Sequence, residues 1–322
     1  MSTPTATRRL LRSLLVLLTG LAVLGTLSGV AVAARSELVV VNAFTTERLA
    51  GPARTVVHDG AGRLVATFTD GSRSVVVAGP ERTLREKGTK VTVRSTSRVR
   101  LLTAPFGGTV DEVWLRGQLA DNSPDVLQTA LQYVAGAPTT TDVDGALLSG
   151  DASYGPVVDD SRQEGADWND YVGTSATYDG VVDPPEAGQA GALDCSGFVR
   201  MVFGARGGLP MVLSPDGVRL PRRAVQMATS APGTVVVADT GRQVTALGSL
   251  LPGDLVLFDA STDDGTDTDH VGIYLGRDSA GGHRFVSSRK SADGPTMGDL
   301  RGASRLDGAG RYATSLRSVR RL

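Results

Sequence analysis

The pattern of hydrophobic and polar positions in the first third of the chain predicts β structure. Residues 55–58 and 64–68 are apolar-rich runs on either side of Asp59-Gly60, a tight-turn signal that favours a hairpin. Further along, valines alternate with polar residues, which is typical of half-buried strands. We therefore expect residues 35–121 to form a β-rich N-terminal domain, and the sequence does not indicate its role.

The first helical pattern follows this region directly. Ser123-Pro124-Asp125 is a typical helix start, with a capping residue and a proline. The apolar positions behind it are spaced three and four apart, so they would share one buried face. The pattern predicts a helix over 125–135, ended by Gly136.

The second helical pattern begins at the only cysteine of the chain, Cys195. Polar helix-start residues surround it, an apolar stripe follows as far as Phe203, and Gly207 should end the helix. A thiol in the first turn of a helix lies near unpaired backbone N–H groups and the positive end of the helix dipole. Both favour the reactive thiolate. The alternative is a small buried hydrophobic side chain, because most free cysteines are buried.

A long stretch without periodicity separates the two helical patterns. Residues 139–193 are rich in Asp, Gly, Ser, Thr and Pro. An irregular segment of this length is unusual inside a compact domain and is often functional. It could form the walls of a cleft that include Tyr154, or it could be a solvated loop.

The first residues of the chain resemble an export signal. Three arginines precede the apolar run Leu14–Leu27, which is too short to span a bilayer, and Ala31-Val32-Ala33 is a small-x-small cleavage site. We expect residues 1–34 to be a signal peptide, which makes the mature protein secreted or wall-associated, with no stable membrane insertion after cleavage. The alternative is an uncleaved anchor.

Charge and cysteine content narrow the range of functions. The formal net charge is −1, and the export segment carries three arginines and no acidic residue, so its removal leaves −4. This mild charge does not indicate nucleic-acid binding. An exported chain with one cysteine cannot form an internal disulfide, and a lone thiol in an oxidising compartment is a liability unless it is used or hidden.

A histidine is the natural partner for that thiol. His270 begins the apolar run 270–275, which we expect to be a strand, and it would serve as the general base for Cys195. His58 has no Cys or His neighbour in the sequence, so we do not expect a metal site.

Three blocks in this part of the chain resemble the signature of the NlpC/P60 family, cysteine peptidases of the bacterial cell wall. They are 194–199 (DCSGFV), 251–258 (LPGDLVLF) and 270–276 (HVGIYLG). The resemblance covers about residues 122–322 and implies a papain-like α+β fold, in which the helix carrying the cysteine packs on an antiparallel sheet. It does not reach the β-rich N-terminal region.

The family usually orients its histidine with a polar residue on the next strand. His283 is one candidate, but the strand from His270 turns back near residues 278–282. The antiparallel partner of His270 should then lie near 287–290, on the order of 13 Å along the strand from His283. Ser287 lies where the family has its polar residue. We therefore expect a Cys195–His270 dyad, with Ser287 or a nearby backbone carbonyl as the third partner.

The resemblance implies a thiol protease that hydrolyses amide bonds in peptidoglycan stem peptides and needs no metal or organic cofactor. Two alternatives stay open. The chain could be a non-catalytic wall-binding or scaffold protein that has kept the fold. It could also be an amidase or acyltransferase on another exported substrate, using the same two residues. The sequence does not indicate the oligomeric state or the bond that is cut.

Overall fold

The computed structural model describes residues 43–262, 265–300 and 302–322. The predicted signal segment, 1–34, lies outside the described residues. Within the described ranges, no helix is long and apolar enough to cross a membrane.

The N-terminal region forms a five-stranded antiparallel sheet followed by one helix. The elements are β1 (Thr45–Leu49), β2 (Arg54–His58), β3 (Leu64–Thr69), β4 (Ser74–Arg85), β5 (Thr92–Leu101) and α1 (Glu112–Ala120). The strands lie in the order β1-β2-β3-β4-β5, and the predicted hairpin at Asp59-Gly60 joins β2 to β3. Val57 and Phe68 are buried on the face of the sheet that packs against Leu115 of α1. The prediction of a β-rich N-terminal region is confirmed.

The next helix, α2 (Val126–Ala130), begins where the sequence predicts, because the Asp125 side chain accepts a hydrogen bond from the Gln128 N–H. It is shorter than the predicted 125–135. The carbonyls of Gln132 and Tyr133 accept hydrogen bonds from residues 150 and 152 instead of continuing a helical ladder. The apolar pattern continues through these turns, and Tyr133 is still fully buried.

The stretch predicted to be irregular contains short ribbons and one short helix. The elements are β6 (Thr140–Thr141), β7 (Leu147–Ser149), β8 (Val157–Val158), β9 (Ser161–Arg162), α3 (Trp168–Val172), β10 (Ala176–Tyr178), β11 (Val181–Asp183) and a 3₁₀ turn (Ala187–Gln189). Each ribbon is a two-stranded antiparallel pair. Asp167 caps α3 through a capping box with Asp170.

The cysteine-bearing helix follows this stretch. Helix α4 (Cys195–Val199) continues as a π-helical segment, Arg200–Ala205, so the helical stretch ends just before the predicted stop at Gly207. Gly197 is required here, because an added Cβ would lie 2.1 Å from the carbonyl oxygen of Ala166.

The second half of the chain forms a six-stranded antiparallel sheet with two short helices. The elements are α5 (Ala224–Ser230), β12 (Thr234–Val237), β13 (Leu255–Phe258), β14 (His270–Arg277), β15 (His283–Arg289), a 3₁₀ turn (Lys290–Ala292), β16 (Gly294–Thr296), α6 (Arg311–Ser315) and β17 (Leu316–Arg321). The strands lie in the order β12-β17-β13-β14-β15-β16. Strands β13 and β14 are buried along most of their length, as their apolar runs predict, and β15 is buried although most of its residues are polar.

Helix α4 packs on this sheet. Its Phe198 side chain is fully buried in the core that also contains Ile273 of β14 and Val286 of β15. The predicted α+β fold, a cysteine helix on an antiparallel sheet, is confirmed.

The N-terminal sheet and the six-stranded sheet share one hydrophobic core. Val93 and Val99 of β5 belong to the same buried cluster as Phe198. Charged contacts join the same regions, because Arg82 of β4 bonds both carboxylate oxygens of Asp125 at 2.7 Å. The boundary between 121 and 122 stays a prediction, and the packing is continuous across it.

A buried ion pair also links the two sheets. The Arg321 guanidinium bonds both oxygens of Asp254 at 2.7 and 2.8 Å, and its Nη1 donates to Thr69 of the N-terminal sheet. The two side chains of the pair are only 2% and 1% exposed. Asp254 is the acidic residue of the block 251–258, so its role in this fold is to neutralise an arginine from β17.

We expect Asp254→Asn to destabilise the protein by about 3–5 kcal/mol, because it leaves the Arg321 charge buried without its counter-ion. Urea unfolding followed by circular dichroism measures this loss. The matched control is Asp70→Asn, which removes the carboxylate from an exposed pair with Arg48. This control should change the unfolding free energy far less. Equal effects of the two substitutions would contradict the prediction.

Candidate active site

The sulfur of Cys195 lies beside the first residues of β14. Its Sγ is 3.8 Å from the carbonyl oxygen of Asp269, and the Val271 N–H also bonds it. These two backbone groups flank His270, so the packing of α4 on β14 brings the predicted nucleophile and base together. Cys195 is 7% exposed, and both residues line one cavity of about 800 Å³.

A buried carboxylate holds the start of the cysteine helix. The Asp194 side chain caps α4 by accepting the Gly197 N–H at 2.7 Å, and it accepts the Gly165 N–H at 3.0 Å. Arg222 pairs with it at 2.8 Å and also donates to the Ser196 hydroxyl. Burial alone would raise the pKa of Asp194, but Arg222 and the two N–H donors lower that pKa below its ordinary value.

The environment of the sulfur favours the thiol in the substrate-free protein. Burial raises the pKa of Cys195, the Asp194 carboxylate raises that pKa further, and the Val271 N–H opposes both. The helix-start effects that favour the thiolate are therefore opposed in this fold by burial and by the charge of Asp194. Forming a thiolate that is desolvated and lies beside a carboxylate costs free energy. The thiol therefore keeps its proton until a base accepts it or a bound substrate lowers that cost.

The ring of His270 is fixed by aromatic neighbours and by the next strand. It lies 5.8 Å from the ring of Phe258, its cross-strand neighbour, and 5.3 Å from the ring of Tyr312. Burial lowers the pKa of His270 to about 3, and the Arg289 and Arg311 guanidinium groups lower it too. The ring is therefore a neutral imidazole at rest, which is the form able to accept a proton.

Ser287 contacts the imidazole ring directly. Its Oγ lies 3.0 Å from Nε2 of His270, which leaves Nδ1 as the other polar edge of the ring. The Arg289 Nε donates to the same hydroxyl oxygen at 3.2 Å. The structure thus brings together the three site residues that the sequence predicts, and adds a buried arginine behind them.

His283 lies away from this cluster. Its Nδ1 bonds the hydroxyl of Tyr274 at 2.7 Å, and it pairs with Arg277 at the far end of the β14–β15 hairpin. The register pairs Ile273 with Val286, so the strand segment opposite the start of β14 lies beyond residue 286. This is the geometry that the spacing argument uses to favour Ser287.

Tyr154, which the sequence suggests as part of a cleft wall, also lines the cavity, although it lies far before Cys195 in the sequence. Backbone hydrogen bonds bring it there. The Ser153 N–H donates to the carbonyl of Gly191, and the Leu193 N–H donates to the carbonyl of Ser153. Tyr154 is 3% exposed, and the charges of Cys195 and Asp194 add to burial in raising the pKa of its hydroxyl.

Sequence reasoning missed three residues of the site: Arg222, Arg289 and Tyr312. Arg289 could have been found, because it lies two residues after Ser287 on the same face of a strand. The other two carry no sequence signal. Arg222 reaches Asp194 from the segment before α5, and Tyr312 belongs to α6, far along the chain from His270.

Charged side chains of both signs line the cavity beyond the cysteine and histidine. They include Glu164, Asp267, Asp269, Arg222, Arg223, Lys290 and Arg311. Within residues 43–262, 265–300 and 302–322, no group of three or more His, Cys, Asp or Glu side chains is arranged to hold a metal ion.

The NlpC/P60 family model matches residues 177–295, a range that contains Cys195, His270 and Ser287. A comparison with curated protein sequences found no match.

Two solved structures are similar to the chain at low identity. One, from Staphylococcus aureus subsp. aureus Mu50, is described as similar to a lipoprotein of the NLP/P60 family. It is 20% identical, with a TM-score of 0.29, over 65% of this chain and 47% of that protein, so the chain covers about half its length. The other is NlpC1 from Trichomonas vaginalis, which is 12% identical, with a TM-score of 0.31, over 87% and 88% of the two chains.

We expect Arg222→Gln to raise the pKa of the Cys195 thiol, because Asp194 would then lie beside the sulfur without its cation. Alkylation by iodoacetamide, followed by intact mass as a function of pH, measures this change. At a fixed pH below the thiol pKa, the alkylation rate should fall roughly tenfold if the pKa rises by about one.

The matched control for this substitution is Arg219→Gln. Arg219 pairs with Asp179 and Asp216 at the surface and does not line the cavity. Its removal should leave the alkylation profile unchanged. Equal or faster alkylation of the Arg222 variant would show that Asp194 does not act on the sulfur.

Proposed function

Because the chain carries a domain of the NlpC/P60 family, we propose that it is a secreted cysteine endopeptidase that hydrolyses amide bonds in peptidoglycan stem peptides. One observation carries the proposal. Cys195 at a helix start and His270 on the adjoining strand line a single cavity, and Ser287 contacts the far edge of the histidine ring. Export to the cell wall is part of the proposal and is supported by the export-signal pattern of residues 1–34.

The proposed reaction is acyl transfer. His270 accepts the thiol proton as the Cys195 sulfur attacks the substrate carbonyl. The imidazolium and the oxyanion therefore form only after the substrate has bound. The first N–H groups of α4 have no helical partner, and those of Cys195 and Ser196 are placed to stabilise the oxyanion. His270 then gives its proton to the leaving amine, and water releases the acyl-enzyme.

Ser287 orients the imidazolium that forms during this reaction. Its Oγ can accept the Nε2–H of His270, and Nδ1 is then the ring nitrogen with a lone pair to accept a proton. A hydroxyl is a weaker acceptor than a carboxylate, so we expect Ser287→Ala to slow turnover less than the loss of His270 does.

The cavity suits a substrate that carries both carboxylate and ammonium groups. Arginines, a lysine and acidic side chains, among them Asp267 and Asp269, all line the cavity. Stem peptides present charged groups of both signs beside the scissile amide, which supports the proposed substrate class.

The second candidate function is a non-catalytic wall-binding protein that has kept the fold. The burial of the sulfur and its raised pKa favour this alternative, because they make the thiol weakly reactive in the absence of substrate. The presence of both Cys195 and His270 in one open cavity favours the enzyme. An amidase or acyltransferase on another exported substrate would use the same two residues and differ only in its products.

We expect the purified chain to convert peptidoglycan fragments into shorter peptides, with new amine and carboxylate ends that mass spectrometry identifies. Cys195→Ala should remove this activity, because no other cysteine is present to replace the nucleophile. A scaffold protein would retain binding to peptidoglycan in a sedimentation assay and release no product. An acyltransferase would yield products only when an acceptor amine is added.

We also expect His270→Ala to abolish cleavage and His283→Ala to keep most of it. Only the former side chain lines the cavity, whereas His283 contacts Tyr274 away from it. Loss of a general base typically costs about 10²–10⁴-fold in rate. Turnover retained in the His270 variant would show that the base lies elsewhere. Circular dichroism of both variants controls for folding.

A further inference from the structure

A buried carboxylate next to the N-terminal sheet bonds to β16, the strand that pairs with the Ser287-bearing strand β15. Glu86 directly follows β4 and is 6% exposed. Its two oxygens accept the Thr296 hydroxyl at 2.9 and 2.8 Å, the Met297 N–H at 2.7 Å and the Gly298 N–H at 3.2 Å. Burial raises the pKa of Glu86, and these donors, together with the charge of Arg289, favour its ionised form and oppose that rise.

The first route from Glu86 to the active site runs through the sheet. Thr296 is the cross-strand partner of Ser287 in the β15–β16 ladder. Holding Thr296 therefore fixes the segment that pairs with Ser287, whose Oγ contacts His270 Nε2 at 3.0 Å.

The second route runs through the loop after β16. The Gly298 carbonyl, whose own N–H is held by Glu86, accepts the Ser304 hydroxyl at 2.6 Å. The Ser304 oxygen accepts a hydrogen bond from the Arg289 Nη2, and the carbonyl of Gly302 accepts one from Nη1 at 2.7 Å. Arg289, in turn, donates to the Ser287 hydroxyl.

Arg289 is a buried cation without a close counter-ion among the described residues. It is 1% exposed, and no salt bridge joins it to a described carboxylate. Its guanidinium lies over the rings of Phe285 and Tyr312, 5.4 and 4.7 Å from their centroids. Glu86 and Asp299 are the carboxylates that stabilise this charge from a distance.

We propose that Glu86 is a positioning residue for His270. It fixes Thr296 and the loop that holds Arg289, and so sets the place of Ser287 against the imidazole ring. The N-terminal sheet then supports the catalytic machinery and is not a separate attachment module. The catalytic part of this role rests on the proposed function, because it concerns the base of the proposed reaction.

The charged groups around His270 and Arg289 predict how the loss of the Glu86 charge changes the pKa of His270. His270 faces Arg289, Arg311, Asp194 and Tyr312, and Arg289 faces Glu86, Asp299, Arg284 and Tyr312. Arg289 lowers the pKa of His270, and Glu86 offsets part of its charge. Removing the Glu86 charge should therefore lower the pKa of His270 further, and imidazolium formation during turnover should become harder.

The test is Glu86→Gln in the full chain, with Thr296→Val as a second variant that removes one donor and keeps the side-chain volume. We expect kcat on a stem-peptide substrate to fall about 10- to 100-fold in Glu86→Gln, as small displacements of a catalytic group produce, and KM to stay within about twofold. The acidic limb of the kcat/KM profile, where protonation of His270 ends activity, should move to lower pH. Thr296→Val should lower kcat by a smaller factor.

A spectroscopic measurement reads the same effect without any substrate. The chain has 3 histidines, so ¹⁵N-labelled ring signals are few, and His270→Gln assigns the one from the site. We expect Glu86→Gln to shift the ring ¹⁵N signals of His270 and to lower its titration midpoint.

The matched control is Val57→Ala, which opens a cavity in the core of the same N-terminal sheet without touching these contacts. It should lower stability and leave kcat, the pH profile and the His270 signals unchanged. Unchanged kcat and unchanged His270 signals in both test variants would overturn the inference, as would equal losses in the control. If the wild-type chain releases no peptide while Glu86→Gln still shifts the His270 signals, the peptidase proposal fails and the positioning of His270 stands.

Discussion

The site depends on one buried carboxylate and the groups that neutralise it. Asp194 caps the helix that begins at Cys195, and the same charge raises the pKa of the sulfur it positions. A buried anion in this place is tolerated only because Arg222 and two backbone N–H groups satisfy its oxygens. The position of the Cys195 sulfur and its protonation state therefore both depend on Asp194.

The parts of the site that depend on local chemistry could be predicted from the sequence. The capping of α4 by Asp194 involves residues only three apart in the sequence, so it is a local signal. Gly197 is also needed locally, because a larger residue would clash with the neighbouring backbone. The preference for Ser287 over His283 follows from counting along an antiparallel hairpin, whose register the side-chain period of two enforces. The β-rich N-terminal sheet was predictable because alternating polar and apolar positions indicate half-buried strands. The α+β fold was implied by the resemblance of three sequence blocks to the NlpC/P60 family.

Features that depend on distant segments could not be predicted in this way. Nothing in the sequence near Arg222 or Glu86 indicates which carboxylate or backbone group it will meet, because those partners are chosen by the packing of whole elements. The early end of α2 is a second example, since carbonyls at 132 and 133 bond to residues 150 and 152. The resting thiol is a third, because desolvation by the complete fold outweighs what the helix start alone suggests.

The position of β17 in the six-stranded sheet has a consequence for the order of folding. Leu316–Arg321 comes after all the other strands of this sheet along the chain, yet it lies between β12 and β13 and brings Arg321 to Asp254. Cys195, His270 and Ser287 all precede β17 along the chain, so they are synthesised before the strand that lies between β12 and β13. Pairing between segments this far apart in sequence is non-local, and such contacts form slowly during folding. The sheet under the cysteine helix is therefore complete only after β17 has paired.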